Sequence, residues 1–320
     1  MSAEAAVDLA PIGRRPRRHF LTIDQESPEE LRALIDLALQ LKRERLAGAA
    51  ERPLAGRVLA MIFERPSLRT RVSFEVAMLQ LGGTALYIGP DEVGLGKREP
   101  AADVARVLSR YVDAIMIRTS GHEQLEELAR YATVPVINGL SPAEHPCQAL
   151  ADLLTIREHR GALSGVRLAY VGDGNNVCTS LMLGAAKLGL KVAVAAPNGY
   201  QPAPEVVARA REAAERAGGE VRVTADPREA VAGADVVYTD VWTSMGQERE
   251  SAERRAAFAG FQINRQLVER AGDAVVMHCL PAHRGEEITD EVIESEDSIV
   301  FDQAENRVHA QKAVLHQLLA

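Results

Sequence analysis

The feature that most constrains this chain is its alternation of short apolar runs with helical patterns. The runs at 58–63, 114–118, 134–138, 168–171, 191–195, 236–240, 274–279 and 299–302 have strand length and are rich in Val, Ile, Leu and Ala. Between them, the stretches 28–46, 69–81, 100–112, 148–159, 177–188, 204–217 and 289–295 repeat apolar residues at helical spacing. Parallel neighbours in a sheet need a crossover of about helical length, so this order predicts an α/β fold. About four strands fall in each half, with a long helix near 147–160 between them. The 320 residues suffice for two domains of ordinary size. The pattern therefore predicts two doubly wound domains with mostly parallel sheets, joined by interdomain helices. A last helical stretch, 305–319, has no strand after it and could return to either half.

Charge and composition narrow the function classes. Lys plus Arg number 37 against 45 Asp plus Glu, a net charge of −8, and there are only six Phe, six Tyr and one Trp. An acidic chain with few stacking surfaces is a poor partner for nucleic acid or an anionic membrane. No apolar run approaches a membrane span, and Glu4 and Asp8 in a terminus without an apolar core argue against a targeting peptide. The three cysteines (Cys147, Cys178, Cys279) form neither CxxC nor a disulfide framework, which points to a reducing compartment. A soluble cytoplasmic protein is expected. Residues 1–18 end in Arg14-Arg15-Pro16-Arg17-Arg18, which reads as a solvated basic tail.

Five clusters carry chemistry. In Phe63-Glu64-Arg65-Pro66-Ser67-Leu68-Arg69-Thr70-Arg71 a strand ends and an amphipathic helix begins. An N-capped helix with solvated arginines would look like this. So would an anion site, in which first-turn amides, hydroxyls and Arg forks meet a phosphate. Three arginines in an acidic chain favour the anion. Next, Glu144-His145-Pro146-Cys147-Gln148 opens the central helix. His145 just outside it could donate to an oxyanion, and no second pair at ligand spacing makes His145 and Cys147 a metal site. Val171-Gly172-Asp173-Gly174-Asn175-Asn176 imitates half of a dinucleotide fingerprint. Val177 occupies the third glycine's place and no ribose-binding acid follows, so the adjacent asparagines suit a polar small molecule better than NAD. Thr239-Asp240-Val241-Trp242-Thr243-Ser244-Met245-Gly246 and Met277-His278-Cys279-Leu280-Pro281-Ala282-His283-Arg284-Gly285 complete the set at two further strand ends.

In this order the five clusters resemble the aspartate/ornithine carbamoyltransferase family from about residue 19 to the C-terminus. Ser-x-Arg-Thr-Arg and His-Pro-x-Gln are general to it, whereas Ser-Met-Gly and His-Cys-Leu-Pro point to its ornithine branch. The resemblance implies transfer of a carbamoyl group from carbamoyl phosphate to the δ-amine of L-ornithine, giving citrulline and phosphate. Ser67, Leu68, Arg69, Thr70, Arg118 and Arg307 would hold the phosphate side. His145, Pro146, Cys147 and Gln148 would hold the carbamoyl side. Asn176, Asp240, Ser244 and Met245 would take ornithine, and Cys279 with Leu280 would face both substrates. Arg69, Arg118, His145 and Cys279 would serve catalysis. A carbamoyl-phosphate domain over 1–146, an ornithine domain over 147–303 and a helix 304–320 packed back on the first are implied. So are a homotrimer or multiple of trimers and the absence of metal or organic cofactor. N-acetylornithine, putrescine or aspartate as acceptor, or an inactive metabolite-binding relative, are the alternatives; Ser-Met-Gly and His-Cys-Leu-Pro speak against aspartate. Gly94 stands where many relatives carry Gln or His, with Lys97 or Arg98 as possible replacements.

Overall fold

The computed structural model describes residues 19–48, 51–96, 98–244 and 246–320. The basic tail, Lys97 and Met245 lie outside the described residues. The first sheet contains β1 (Val58–Phe63), β2 (Thr84–Ile88), β3 (Ala114–Arg118) and β4 (Val136–Leu140), in the order β2-β1-β3-β4. The second contains β5 (Arg167–Val171), β6 (Lys191–Ala195), β7 (Glu220–Thr224), β8 (Val236–Thr239) and β9 (Val275–His278), in the order β7-β6-β5-β8-β9. All ladder pairings are parallel. The expected α/β fold with two doubly wound sheets is therefore present.

The longer helices are α1 (Pro28–Leu46), α2 (Leu68–Gln80), α3 (Ala101–Tyr111), α4 (His122–Tyr131), α5 (Pro146–Arg160), α6 (Asn176–Lys187), α7 (Pro204–Ala217) and α8 (Val300–Leu319). Their starts follow local chemistry: α1 has a Ser27–Glu30 capping box with Pro28 at its first position, and Asn175 caps α6 through its side chain. In α5 every residue from Pro146 to Ile156 is buried. Leu150, Leu153 and Leu154 join one apolar core that runs from Leu59, Met61 and Phe63 of β1 to Tyr170, Val192 and Tyr238 of the second sheet. This helix is thus the spine between the halves.

Three expectations need correction. The 299–302 run is not a strand. Ser298 makes a single parallel bridge to Val276, Ile299 becomes an N-cap, and the helix α8 begins at Val300. Burial of Val300, Gln303, Arg307, Ala310 and Val314, with Phe301 exposed, shows helical rather than alternating periodicity. Strand β4 starts at Val136 rather than at 134. Strands β2 and β7 and helix α4 were not anticipated; both strands sit at sheet edges, where half-exposed residues blur the apolar signal. Helix α8 is buried along most of its length, packed on α1, α2 and α5.

Candidate active site

In open parallel sheets, ligands sit beyond the strands' carboxyl ends where the strand order reverses. That point falls between β1 and β3 in the first sheet and between β5 and β8 in the second. All five clusters emerge at carboxyl ends of strands: after β1, β4, β5, β8 and β9.

After β1, Ser67 caps α2, its Oγ accepting from Thr70 N at 3.4 Å. The first turn of α2 holds no acidic residue, so its dipole is uncompensated. Leu68 points its side chain outward (74% exposed), leaving its backbone for the site. Glu64 ties the loop to the end of β3, accepting from Ser120 N at 2.7 Å and from Thr119 Oγ1 at 2.8 Å. The β3–β4 register shifts between Ile117 and Arg118, so Arg118 pairs with Leu140 and its side chain is re-aimed. Arg118 Nη1 then reaches Thr70 Oγ1 at 3.4 Å, and Arg307 Nη2 reaches the same oxygen at 3.3 Å. Arg307 also donates to Gln148 Oε1 at 2.6 Å.

Both guanidinium groups are buried, and their hydrogen bonds go to a hydroxyl and an amide oxygen rather than to a carboxylate. Burial pushes Arg118 down to about 10, and Arg307, Arg69 and Arg65 add repulsion. Arg307 is lowered chiefly by burial, with Arg69 also opposing its charge. His145 is buried beside them, and burial, Arg307 and Arg118 hold its imidazole well below the usual range, hence neutral. Arg118 Nε, Arg307 Nε and His145 Nδ1 are buried polar atoms without hydrogen-bond partners among the described residues. Convergent cations of this kind are built for a compact anion.

His145 is placed by its own N–H, which donates to Ser180 Oγ at 2.9 Å. Ser180 in turn donates to Glu144 Oε2 at 2.9 Å, and Ile23 N does so at 2.8 Å. Cys147 turns into the core, its Sγ meeting Asn138 O at 3.5 Å, and burial raises its thiol to about 12. Its side chain is therefore not at the site, and Pro146 has no N–H to offer; this pair can act only through backbone position.

Burial raises the Glu144 carboxyl to about 7, against the hydrogen bonds from Ile23 and Ser180. The folded state thus holds this proton more tightly than the unfolded chain. Stability from this group is greatest below the ordinary carboxylate range and declines as pH rises toward about 7. Glu144→Gln, which keeps an accepting oxygen, should gain about 2–3 kcal/mol relative to the native protein between pH 5 and pH 8. Denaturant midpoints at the two pH values check this; an unchanged difference would contradict it.

On the other sheet, Asp240 gathers the second group. Its Oδ1 accepts from Cys279 Sγ at 2.9 Å and Val241 N at 2.8 Å, and its Oδ2 accepts from Asn175 Nδ2 at 2.8 Å. Burial, then Asp240, push the Cys279 thiol well up, so it is an S–H donor. Asn175, not Asn176, is the one bound to Asp240; Asn176 Nδ2 donates to Ser141 O at 2.7 Å, leaving its oxygen uncommitted. Ser244 sits in a tight turn, with its N–H donating to Gln247 Oε1 at 3.0 Å. Leu280 has φ +59°, and its N–H donates to His278 Nδ1 at 2.9 Å. His278 therefore carries its proton on Nε2, directed at Glu287 Oε1 3.1 Å away. Arg98 folds back on Glu92 O at 3.3 Å, within its own loop.

Sequence reasoning missed Asp152, Gln303, Tyr238 and the buried Asp173–Arg254 pair at 2.8 Å. A buried ion pair separated by 81 residues leaves no local signal. Among the described residues, two donor clusters could each reach a common ion: Asp240, His278 and Cys279, and His283, Glu286 and Glu287. In the first, protein hydrogen bonds already engage both ring nitrogens and the thiol.

His278, beside Cys279, donates its N–H to Gln303 Oε1 at 2.9 Å, and Gln303 stands one turn before Arg307 on α8, so the arginine cluster and the Asp240 cluster adjoin. Fold and site together define a two-sheet α/β protein with an anion pocket beside a carboxylate pocket. The family model "Aspartate/ornithine carbamoyltransferase, carbamoyl-P binding domain" matches residues 18–158, and its "Asp/Orn binding domain" partner matches 164–318. Ornithine carbamoyltransferase of Acidothermus cellulolyticus is 60% identical over 306 residues, 94% of this chain and 96% of that protein. The solved ornithine carbamoyltransferase from Pyrococcus furiosus superposes with a TM-score of 0.92 at 54% identity, covering 94% of this chain and 97% of that one. The anabolic ornithine carbamoyltransferase from Campylobacter jejuni gives 0.89 at 40% identity, with 94% and 98% covered. The chain belongs to the aspartate/ornithine carbamoyltransferase family.

Proposed function

We propose that this protein transfers the carbamoyl group of carbamoyl phosphate to the δ-amine of L-ornithine, giving L-citrulline and phosphate, in arginine metabolism. The observation that carries this reading is the pairing of Arg118 and Arg307 on Thr70 Oγ1 beside neutral His145. Residues 1–146 form the carbamoyl-phosphate half and 147–303 the ornithine half, with 304–320 serving the first through Arg307. Ser67, Leu68, Arg69 and Thr70 hold the phosphate with backbone N–H, hydroxyl and guanidinium donors. His145 donates to the carbamoyl oxygen, and Gln148 meets the carbamoyl NH₂. Asp240 pairs with the ornithine α-ammonium beside Asn176, Ser244 and Met245. The neutral δ-amine attacks the carbamoyl carbon, and the tetrahedral oxyanion is met by Arg118, Thr70 and His145. Collapse breaks the C–O bond, and the departing phosphate takes up the proton shed by the attacking nitrogen as it leaves into the arginine cluster. Holding both substrates against one another supplies much of the acceleration.

Cysteine usage supports a cytoplasmic setting, and no helix among the described residues is long and apolar enough to cross a membrane. Assembly as a homotrimer, or a multiple of it, is supported by an apolar outer face on the first sheet's side. Leu68, Val72 and Leu79 of α2 and Leu86 of the edge strand β2 are 74%, 46%, 66% and 48% exposed.

Carbamoyl transfer from carbamoyl phosphate to a panel of L-ornithine, N-acetylornithine, putrescine and aspartate, read as each carbamoylated amine and the released phosphate, tests the activity and the acceptor together. Product from L-ornithine at the highest kcat/KM is expected; preference for another amine would change the acceptor, and no product from any would end the reading. At pH 7 only about one alkyl amine in 10³ is neutral. The kcat/KM for ornithine should therefore climb steeply, by up to about 10²-fold, between about pH 6 and pH 8. A flat profile would contradict use of the neutral amine in the rate-limiting step.

A further inference from the structure

Gln148 lies between a guanidinium and a carboxylate. Its Oε1 accepts from Arg307 Nη1 at 2.6 Å, and its Nε2 donates to Asp152 Oδ1 at 2.7 Å. Arginine only donates and an ionised carboxylate only accepts, so the amide has a single orientation. Asp152 follows Gln148 by one turn of α5 and is fully buried. Its carboxylate accepts two further hydrogen bonds, from Gln303 Nε2 at 2.7 Å and from Tyr238 OH at 3.0 Å. Gln303 Oε1 accepts from His278 N at 2.9 Å. Asp152 thus joins α5 to α8 and to the ends of β8 and β9. Burying a carboxylate is costly, and nothing in the apolar spine requires one at this position.

We propose that Asp152 is the positioning residue that keeps the Gln148 amide oxygen, and not its nitrogen, turned toward the carbamoyl NH₂. The inference rests on the carbamoyl-phosphate reading of the arginine cluster. Arg307 has donors to spare for phosphate, its Nε being without a hydrogen-bond partner among the described residues, so its charge is shared between the anion and Gln148. Asp152, bound to the other end of the amide, then decides which end faces the substrate. Asn at 152 preserves the shape but not the acceptors: with its oxygen toward Gln148 and Gln303, its nitrogen faces the Tyr238 hydroxyl, which donates to the native carboxylate and already accepts from Gln303 Nε2 at 3.1 Å. Turned over, it donates to Gln148, whose own nitrogen then confronts the carbamoyl NH₂, donor against donor. Protonation of the native carboxyl has the same effect. Burial raises it to about 6, against Gln148 on its own helix, Gln303 and Arg307 from α8, and Tyr238 from β8, with the Cys279 thiol also nearby beyond β9.

The test compares carbamoyl phosphate with acetyl phosphate and inorganic phosphate, which carry the same anion without the NH₂. Asp152→Asn should lower kcat/KM for carbamoyl phosphate tenfold or more. Inhibition constants for acetyl phosphate and inorganic phosphate should stay within about twofold of the native values, a split that general disruption would not produce. In the native protein the preference for carbamoyl over acetyl phosphate should shrink between pH 8 and pH 5.5, and in Asp152→Asn it should be flat. The native pH comparison stands even if the variant fails to fold. Equal weakening of all three ligands, an unchanged preference in Asp152→Asn, or a pH-independent native preference would overturn the inference alone. A native protein that carbamoylates no amine would overturn the site reading and this inference with it.

Discussion

Replacing Arg118 by Met should lower kcat/KM for carbamoyl phosphate by about 10²–10³-fold, while leaving the unliganded protein as stable as the native one or more so. The two effects have one origin. Arg118 is buried beside Arg307, Arg69 and Arg65, and its own contacts among the described residues are a single 3.4 Å hydrogen bond to Thr70 with its Nε unpartnered. Without substrate, its charge is desolvated and repelled. A methionine of similar length fills the space and removes both penalties. With substrate, the same charge meets a leaving phosphate and a developing oxyanion in a site shielded from water, where a lost donor is costly. Thermal melts with and without inorganic phosphate give the decisive comparison. The variant should melt at or above the native temperature alone and lose the phosphate-dependent rise. A lower melting temperature with the rise retained would show Arg118 to be structural.

Asp240→Asn should reduce kcat/KM for L-ornithine by about 10²-fold, with phosphate inhibition changed by less than about twofold. The Asp240 carboxylate already accepts from Cys279 Sγ, Val241 N and Asn175 Nδ2. A carboxylate offers about four lone-pair sites, so one remains for an ammonium. Asn lacks the charge, and its amide nitrogen would face that of Asn175. Asn175 cannot turn over to relieve this, because its Oδ1 caps α6 by accepting from Val177 N and Cys178 N. The variant should therefore also lose about 1–2 kcal/mol of stability, measurable by denaturant titration. N-acetylornithine has no α-ammonium and should respond much less. Parallel losses for ornithine and N-acetylornithine would remove Asp240 from the recognition of the α-amino group.

Much of this architecture could be read from the chain alone, and the reasons are specific. Strands β1, β3, β5 and β6 are nearly continuous apolar runs, because central strands of parallel sheets are covered on both faces. Edge strands β2 and β7 lack that double burial and escaped notice. The run Ile299-Val300-Phe301 imitates a strand locally, yet becomes the start of α8, since only the burial of Gln303 and Arg307 four residues apart reveals its period. Of the candidate site, the residues in turns after strands were legible through their chemistry: Ser67 and Arg69 after β1, Asp240 after β8, Cys279 after β9. Cys147 stands between His145 and Gln148, which flank the site, but one residue's rotation on α5 turns its thiol into the core, a direction that its place in the sequence does not show.

By itself the sequence determined the α/β alternation of the central strands and their helices, the strand ends at which polar residues gather, and the family to which those residues belong. These follow from local periodicity and turn chemistry, which act over a few residues. Only the tertiary structure decided that Arg307 reaches Thr70 across 237 residues and that Asn175 rather than Asn176 binds Asp240. It alone placed Asp152 where it holds Gln148, Gln303 and Tyr238 together. Such partnerships arise because a buried charge or amide must find its complement wherever packing brings one, and packing distance bears no relation to distance along the chain.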